Sequence, residues 1–192
     1  MNKPIRLLLL AIFAMFLSSC GYNNMVSKEE AVTAQWANVE SSYQRRADLI
    51  PNLVSTVKGV ANFEQSTLTA VIEARSKASS IQVDAKNLTP EEIQQFQQAQ
   101  GQLSSALSRL LVTVEQYPDL KATQNFSELQ AQLEGTENRI NVERRKFNEA
   151  AQDYNAYIRK FPQLIYSGWF GFKKKGYFEA DAGTEKAPKV EF

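Results

Sequence analysis

Residues 43–61 read YQRRADLIPNLVSTVKGVA. Two arginines and a proline interrupt a regular apolar repeat, and that repeat decides the fold. Working outward from it, apolar side chains recur at Val32, Trp36, Val39, Tyr43, Ile50, Leu53, Val57, Val60, Leu68 and Val71, with Arg46 and Glu64 in the skipped slots. The intervals alternate four and three, which is the coiled-coil-like seam of a helix packed on other helices in a left-handed bundle. Pro51 lacks the amide that residue 47 would accept from it, so it either kinks one long helix or opens a second at its first turn. Gly59, in mid-pattern, costs about 1 kcal/mol relative to alanine, and close approach of a neighbouring helix accounts for it.

Beyond this stretch the pattern lapses between Ser79 and Thr89. Thr89, Pro90 and Glu92 then carry the signature of a capped helix start. Ile93, Phe96, Leu103, Leu107, Leu110, Val114 and Tyr117 share one face until Pro118 stops the run, and Gln94, Gln95, Gln97 and Gln98 form its solvated face. Asn125 and Glu128 repeat the cap signal. A last seam of Phe126, Leu129, Leu133, Ile140, Phe147, Ala150, Tyr154, Tyr157 and Phe161 follows, closed by Pro162, with Thr136 and Glu143 in its missing slots. Long helices joined by short polar loops predict an all-α chain folded as an antiparallel up-and-down four-helix bundle.

The N-terminus reads as an address. Lys3 and Arg6 precede an apolar run from Leu7 to Leu17, and Ser18 and Ser19 lead to Cys20, the sole cysteine. The run is well short of the roughly 20 apolar residues that span a bilayer, so a signal peptide fits better than a retained membrane helix. Leu17-Ser18-Ser19-Cys20 resembles a bacterial lipobox, in which the cysteine is lipidated and becomes the first residue of the mature chain. Two or three acyl chains give stable anchoring. Gly21 in place of an acidic residue resembles lipoproteins forwarded to an outer membrane. The expected organisation is a signal peptide over 1–19, a lipid-anchored tether over 20–26, the helical body over 27–162, and an aromatic and basic C-terminal segment with a loose tail over 163–192.

Removing Lys3 and Arg6 leaves 20 basic against 21 acidic side chains among the 192 residues, which argues against nucleic acid as a partner. There is no histidine, so the usual general base and the commonest metal ligand are both missing. Ser104, Ser105 and Ser108 lack a base and read as small helix residues, while Glu91 and Glu92 suit a helix start electrostatically. No phosphate loop appears. No catalytic residue, metal or cofactor is expected.

Four charges sit in seam slots: Arg46, Glu64, Arg75 and Glu143. Helical drift should carry Arg75 to a solvated edge. Arg46 and Glu143 are flanked by large apolar residues, and a buried arginine calls for a carboxylate. Arg46 is therefore predicted to pair inside the body with Glu143 first, or with Glu64. In the C-terminal segment, Trp169, Phe170 and Phe172 stand beside Lys173, Lys174 and Lys175, a mixture suited to a membrane interface or partner contact. No single period makes the segment amphipathic, which favours aromatics folded back over one end of the body, with Trp169 and Phe170 at least partly covered.

With these residues in view, the chain resembles the LemA family. The likeness runs through Tyr22-Asn23, Trp36, Gln44-Arg45-Arg46, Asp48 to Val54, Val57-Lys58-Gly59, Glu64, Glu73-Ala74-Arg75, Leu103 to Arg109, Asn125-Phe126, Leu133 to Ile140 and Tyr154-Asn155. Phe170-Gly171-Phe172, Tyr177-Phe178 and the stretch from Pro188 to Phe192 extend it. The resemblance implies a four-helix bundle held at the cell envelope by its N-terminus, with no agreed enzymatic activity. Family members commonly carry an N-terminal membrane helix where this chain has a lipobox. The expected function is that of a membrane-anchored, non-catalytic envelope lipoprotein, its body outside the cytoplasm, that binds an unidentified envelope protein or acts as a scaffold for membrane-proximal assemblies. The alternative is a bundle that holds a lipid or small ligand in an internal cavity.

Overall fold

A computed structural model describes residues 3–59 and 63–180, with side chains from residue 21 onward. Six helices are present among them: α1 (Lys3–Lys58), α2 (Gln65–Ser80), α3 (Pro90–Val114), α4 (Pro118–Lys121), α5 (Gln124–Ile158) and α6 (Gln163–Ser167). The described chain is all-helical with no strand. Val60 and the stretch from 181 to Phe192 lie outside the described residues, as does the side chain of Cys20.

Pro51 neither ends α1 nor begins a new helix; it lies inside one helix of 56 residues, roughly 84 Å long at the ordinary rise. Residues 20–26, expected as a lipid-anchored tether, are helical. They continue α1, and Met25 is fully buried. Gly59 falls just past the last residue of α1, where, among the described residues, an added Cβ would meet only the carbonyl of Thr56 at 3.4 Å and no side chain of a neighbouring helix.

The α3 start forms as a full capping box. Thr89 Oγ1 accepts from the Glu92 amide at 3.2 Å and the Glu92 carboxylate accepts from the Thr89 amide at 3.0 Å. At α5 the cap is Thr123 rather than Asn125, because Thr123 Oγ1 accepts from the Phe126 amide and helical geometry already begins at Gln124.

Contacts fix the helix directions. Lys28 meets Asp153, Gln35 meets Glu143 and Arg46 meets Glu137, so α5 descends as α1 rises. Gln100 reaches Ala78 and Lys77 reaches Gln102, while Phe63, just before α2, meets Tyr117, so α2 and α3 also run in opposite senses. Trp36 and Tyr43 pack on Phe96, and Arg46 reaches Ser104, which sets α3 parallel to α1.

Two apolar cores result. One gathers Met25, Val32, Trp36, Val39 and Tyr43 with Ile93, Phe96, Ile140, Phe147, Tyr154, Phe172 and Phe178. The other gathers Ile50, Leu53 and Val57 with Leu68, Val71, Leu103, Leu110, Val114, Phe126 and Leu133. Late in α5 the seam shifts register after Phe147: Ala151, Tyr154 and Ile158 are buried, whereas Phe161 is 81% exposed and lies past the helix end.

Candidate functional site

Arg46, Gln100 and Glu137 occupy the level between the two cores. Arg46 is 2% exposed and uses its fork fully on one side: Nη1 donates to Glu137 Oε2 at 2.8 Å and to Ser104 Oγ at 2.8 Å, and Nη2 donates to Gln100 Oε1 at 2.7 Å. Its guanidinium lies 5.0 Å from the Tyr43 ring. The carboxylate partner is therefore Glu137, not Glu143 or Glu64. Glu137 is at the edge of the layer and remains 43% exposed, so water shares its charge.

Glu143 lies nearly two helical turns further along α5, where it is buried but has its own company. Gln35 Nε2 donates to it at 2.7 Å, Lys146 at 3.3 Å, and Arg139 stands 3.7 Å away. The Gln35 hydrogen bond holds its carboxyl below the ordinary range, against burial, which pushes it up, and with help from Lys146 and Arg139. Glu64 is exposed at the start of α2 and accepts from Ser66. Arg75 is also not left to solvent: its Nε donates to the Ala47 carbonyl at 2.9 Å.

The C-terminal segment divides into two parts with opposite fates. From Phe172 onward it lies extended across the helices, gripped by its main chain. Asn155 accepts from the Lys175 amide and donates to its carbonyl, each at 2.9 Å. Asn148 does the same to Phe178 at 2.9 and 2.8 Å, and Gln97 to Glu179 at 3.0 and 2.9 Å. Gly176 approaches α3 so closely that a Cβ there would stand 2.8 Å from Pro90 Cα.

Phe172 is buried, so it offers no outward contact. Lys175, expected among solvated lysines, is only 1% exposed. Its ammonium pairs with Glu29 at 2.8 Å, donates to the Lys86 carbonyl, and lies 5.7 Å from the Tyr154 ring. Burial, and then the charge of Glu29, push the Tyr154 hydroxyl well up from its ordinary value.

The part before Phe172 faces outward. Trp169 is 82% exposed, and Phe170 is exposed although it packs edge-on to Tyr22 at 5.1 Å, so the expected covering of Trp169 does not occur. Lys173 and Lys174 are exposed as well. Tyr166 of α6 meets α1 at Gly21, where an added Cβ would stand 2.1 Å from its hydroxyl oxygen. The exposed aromatics thus lie beside the residue that follows Cys20.

Of the amides and carboxylates that do this work, Gln100, Asn148 and Glu29 are absent from the residues that sequence reasoning singled out, Gln97 is read there only as part of a solvated face, and Asn155 and Glu137 only as parts of the family likeness. Their signal is weak because each is an ordinary polar side chain at the margin of a seam.

Among the described residues no helix is long and apolar enough to cross a membrane. The LemA family's sequence profile matches residues 35–192. The chain is 28% identical to magnetosome protein MamQ 2 of Paramagnetospirillum magneticum, over 82% of this chain and 64% of that protein. It is 29% identical to magnetosome protein MamQ of Magnetospirillum gryphiswaldense, over 84% and 66%. Against protein LemA of Metamycoplasma hominis it is 27% identical, over 72% and 60%. It therefore spans a little under two thirds of the length of these relatives.

Proposed function

This chain belongs to the LemA family, and from that premise we propose that it is a lipid-anchored protein of the bacterial cell envelope whose helical body binds another protein and catalyses no reaction. Helices α1, α2, α3 and α5 are read as an antiparallel four-helix bundle, supported by the directions of their pairings. Cys20 carries the anchor and the body lies outside the cytoplasm.

The observation that carries the reading is the order of Lys3 and Arg6, a short apolar run, small residues and Cys20, placed directly before Gly21, which packs tightly against Tyr166. Non-catalytic action is supported by how the buried charges are used. Arg46, Glu143 and Lys175 each bind groups of the same chain. The names of the relatives attach no reaction to them.

Intact mass and membrane fractionation test the anchor. The expected product begins at Cys20 and carries acyl chains; a Cys20→Ala variant should accumulate unprocessed. A membrane-bound wild-type chain whose intact mass begins before Cys20 and includes no acyl chains would overturn the lipidation. Protein binding is tested by site-specific crosslinking in cells from exposed body positions. One recurrent partner, lost when the anchor is removed, is expected.

A further inference from the structure

The ten residues 161–170 expose Phe161, Leu164, Ile165, Trp169 and Phe170 together at one end of the molecule. Leaving side chains of this size in water is unfavourable, so an uncovered group of five implies something that covers it. We propose that this edge is a seat for an anionic lipid surface, on which α6 and the turn after it rest. The proposal deepens the anchored reading above and relies on the chain being held at a membrane by its N-terminus.

Three observations select a lipid surface. First, position: Tyr166 packs against Gly21 and Phe170 against Tyr22, so the apolar edge is at the level of α1 where the anchor would leave the body. A membrane holding residue 20 lies within reach of these side chains without any rearrangement. Second, charge: from Tyr154 to Phe178 there is no acidic residue, while Arg159, Lys160, Lys173 and Lys174 are exposed. Cations rimming apolar and aromatic tips match the headgroup and upper acyl region of an anionic leaflet. A symmetric contact with a second copy would set those same cations against each other. Third, stiffness: Lys175, Phe178 and Glu179 are pinned to the helices through Asn155, Asn148 and Gln97, so the edge is presented in a fixed orientation.

The test uses the full chain reconstituted in vesicles of phosphatidylcholine with phosphatidylglycerol, read on the vesicle-bound fraction. The difference between wild type and Trp169→Phe isolates Trp169, because Trp36 is fully buried. Trp169 should be quenched by lipids brominated near the headgroup and shielded from aqueous acrylamide. Replacing Lys173 and Lys174 by Gln should weaken the docked state by roughly 30-fold. Omitting phosphatidylglycerol should have the same sense.

Trp169 open to acrylamide and untouched by brominated lipid, in protein that remains on the vesicles, would overturn the seat while leaving the anchor intact. Shielding without lipid quenching, growing with protein density, would assign the edge to a second copy and equally overturn it. Equal quenching with and without phosphatidylglycerol would remove the anionic requirement and the proposal with it. Failure of the anchor shows separately, as an intact mass that begins before Cys20.

Discussion

Arg75 donates its Nε hydrogen to the carbonyl of Ala47 at 2.9 Å. Ala47 is four residues before Pro51, so this is the carbonyl that a proline inside α1 deprives of its helical donor. A side chain of α2 restores what the ring takes away, and α1 runs on. Arg75→Met should cost about 1–3 kcal/mol, as expected for an orphaned, partly buried acceptor. In a Pro51→Ala background the helix supplies its own donor, and the same change should cost markedly less. Urea unfolding of the four chains measures the coupling; equal losses in both backgrounds would detach Arg75 from Pro51.

The partner of Arg46 gives a second cycle. Arg46→Met should cost about 3 kcal/mol, because it strands Gln100 and Ser104 as well as Glu137. Glu137→Gln should cost about 1 kcal/mol, since that side chain already meets water. The two should couple, whereas Arg46→Met and Glu143→Leu should add independently.

Gly176 is a packing requirement. Its missing Cβ lets the extended segment lie against Pro90, with the Gly176 amide donating to Leu88 at 2.8 Å. Gly176→Val should lift the segment from the helices and cost about 1–3 kcal/mol. Limited trypsin digestion should then cut at Lys175, which is buried and paired in the native chain.

Acid and alkaline arms of the stability curve have separate origins. Glu143 is held below its ordinary 4.5 in the folded chain, so its contribution is complete above that value and lost as pH falls through the folded one. Glu143→Gln should flatten this part of the acid slope. Tyr154 is shifted the other way, raised above its ordinary 10.0. Its contribution is complete below that pH and lost as rising pH ionises the unfolded chain first, and Tyr154→Phe should soften the alkaline loss. Urea midpoints across both ranges provide the measurement.

The helices were legible because their seams are long and regular; Trp36, Phe96 and Phe147 could be assigned to the core from spacing alone. The Arg46 partner was not, because spacing within a helix says nothing of register between helices. With Trp36 set against Phe147, as their 5.6 Å ring contact has them, antiparallel counting puts position 46 opposite 137. Glu143 was therefore the wrong carboxylate by nearly two turns. Arg75 was misassigned for a related reason: its target is a backbone carbonyl, and a proline's orphaned acceptor leaves no mark in the apolar pattern. The split of the C-terminal segment was hidden too, since amide side chains that grip a main chain look like any other polar residues.

The pairing of α1 with α5 also has a consequence in time. Lys28 meets Asp153, and Trp36 waits for Phe147 and Phe178, so the core nearest the N-terminus closes only after almost the whole described chain has been made. Local helices form within about a microsecond, but contacts this distant in sequence must first overcome loop-closure entropy. The half-built chain consequently lacks the means to bury Trp36 early. Until α5 arrives, Trp36 has Phe96 but neither Phe147 nor Phe178 to pack against.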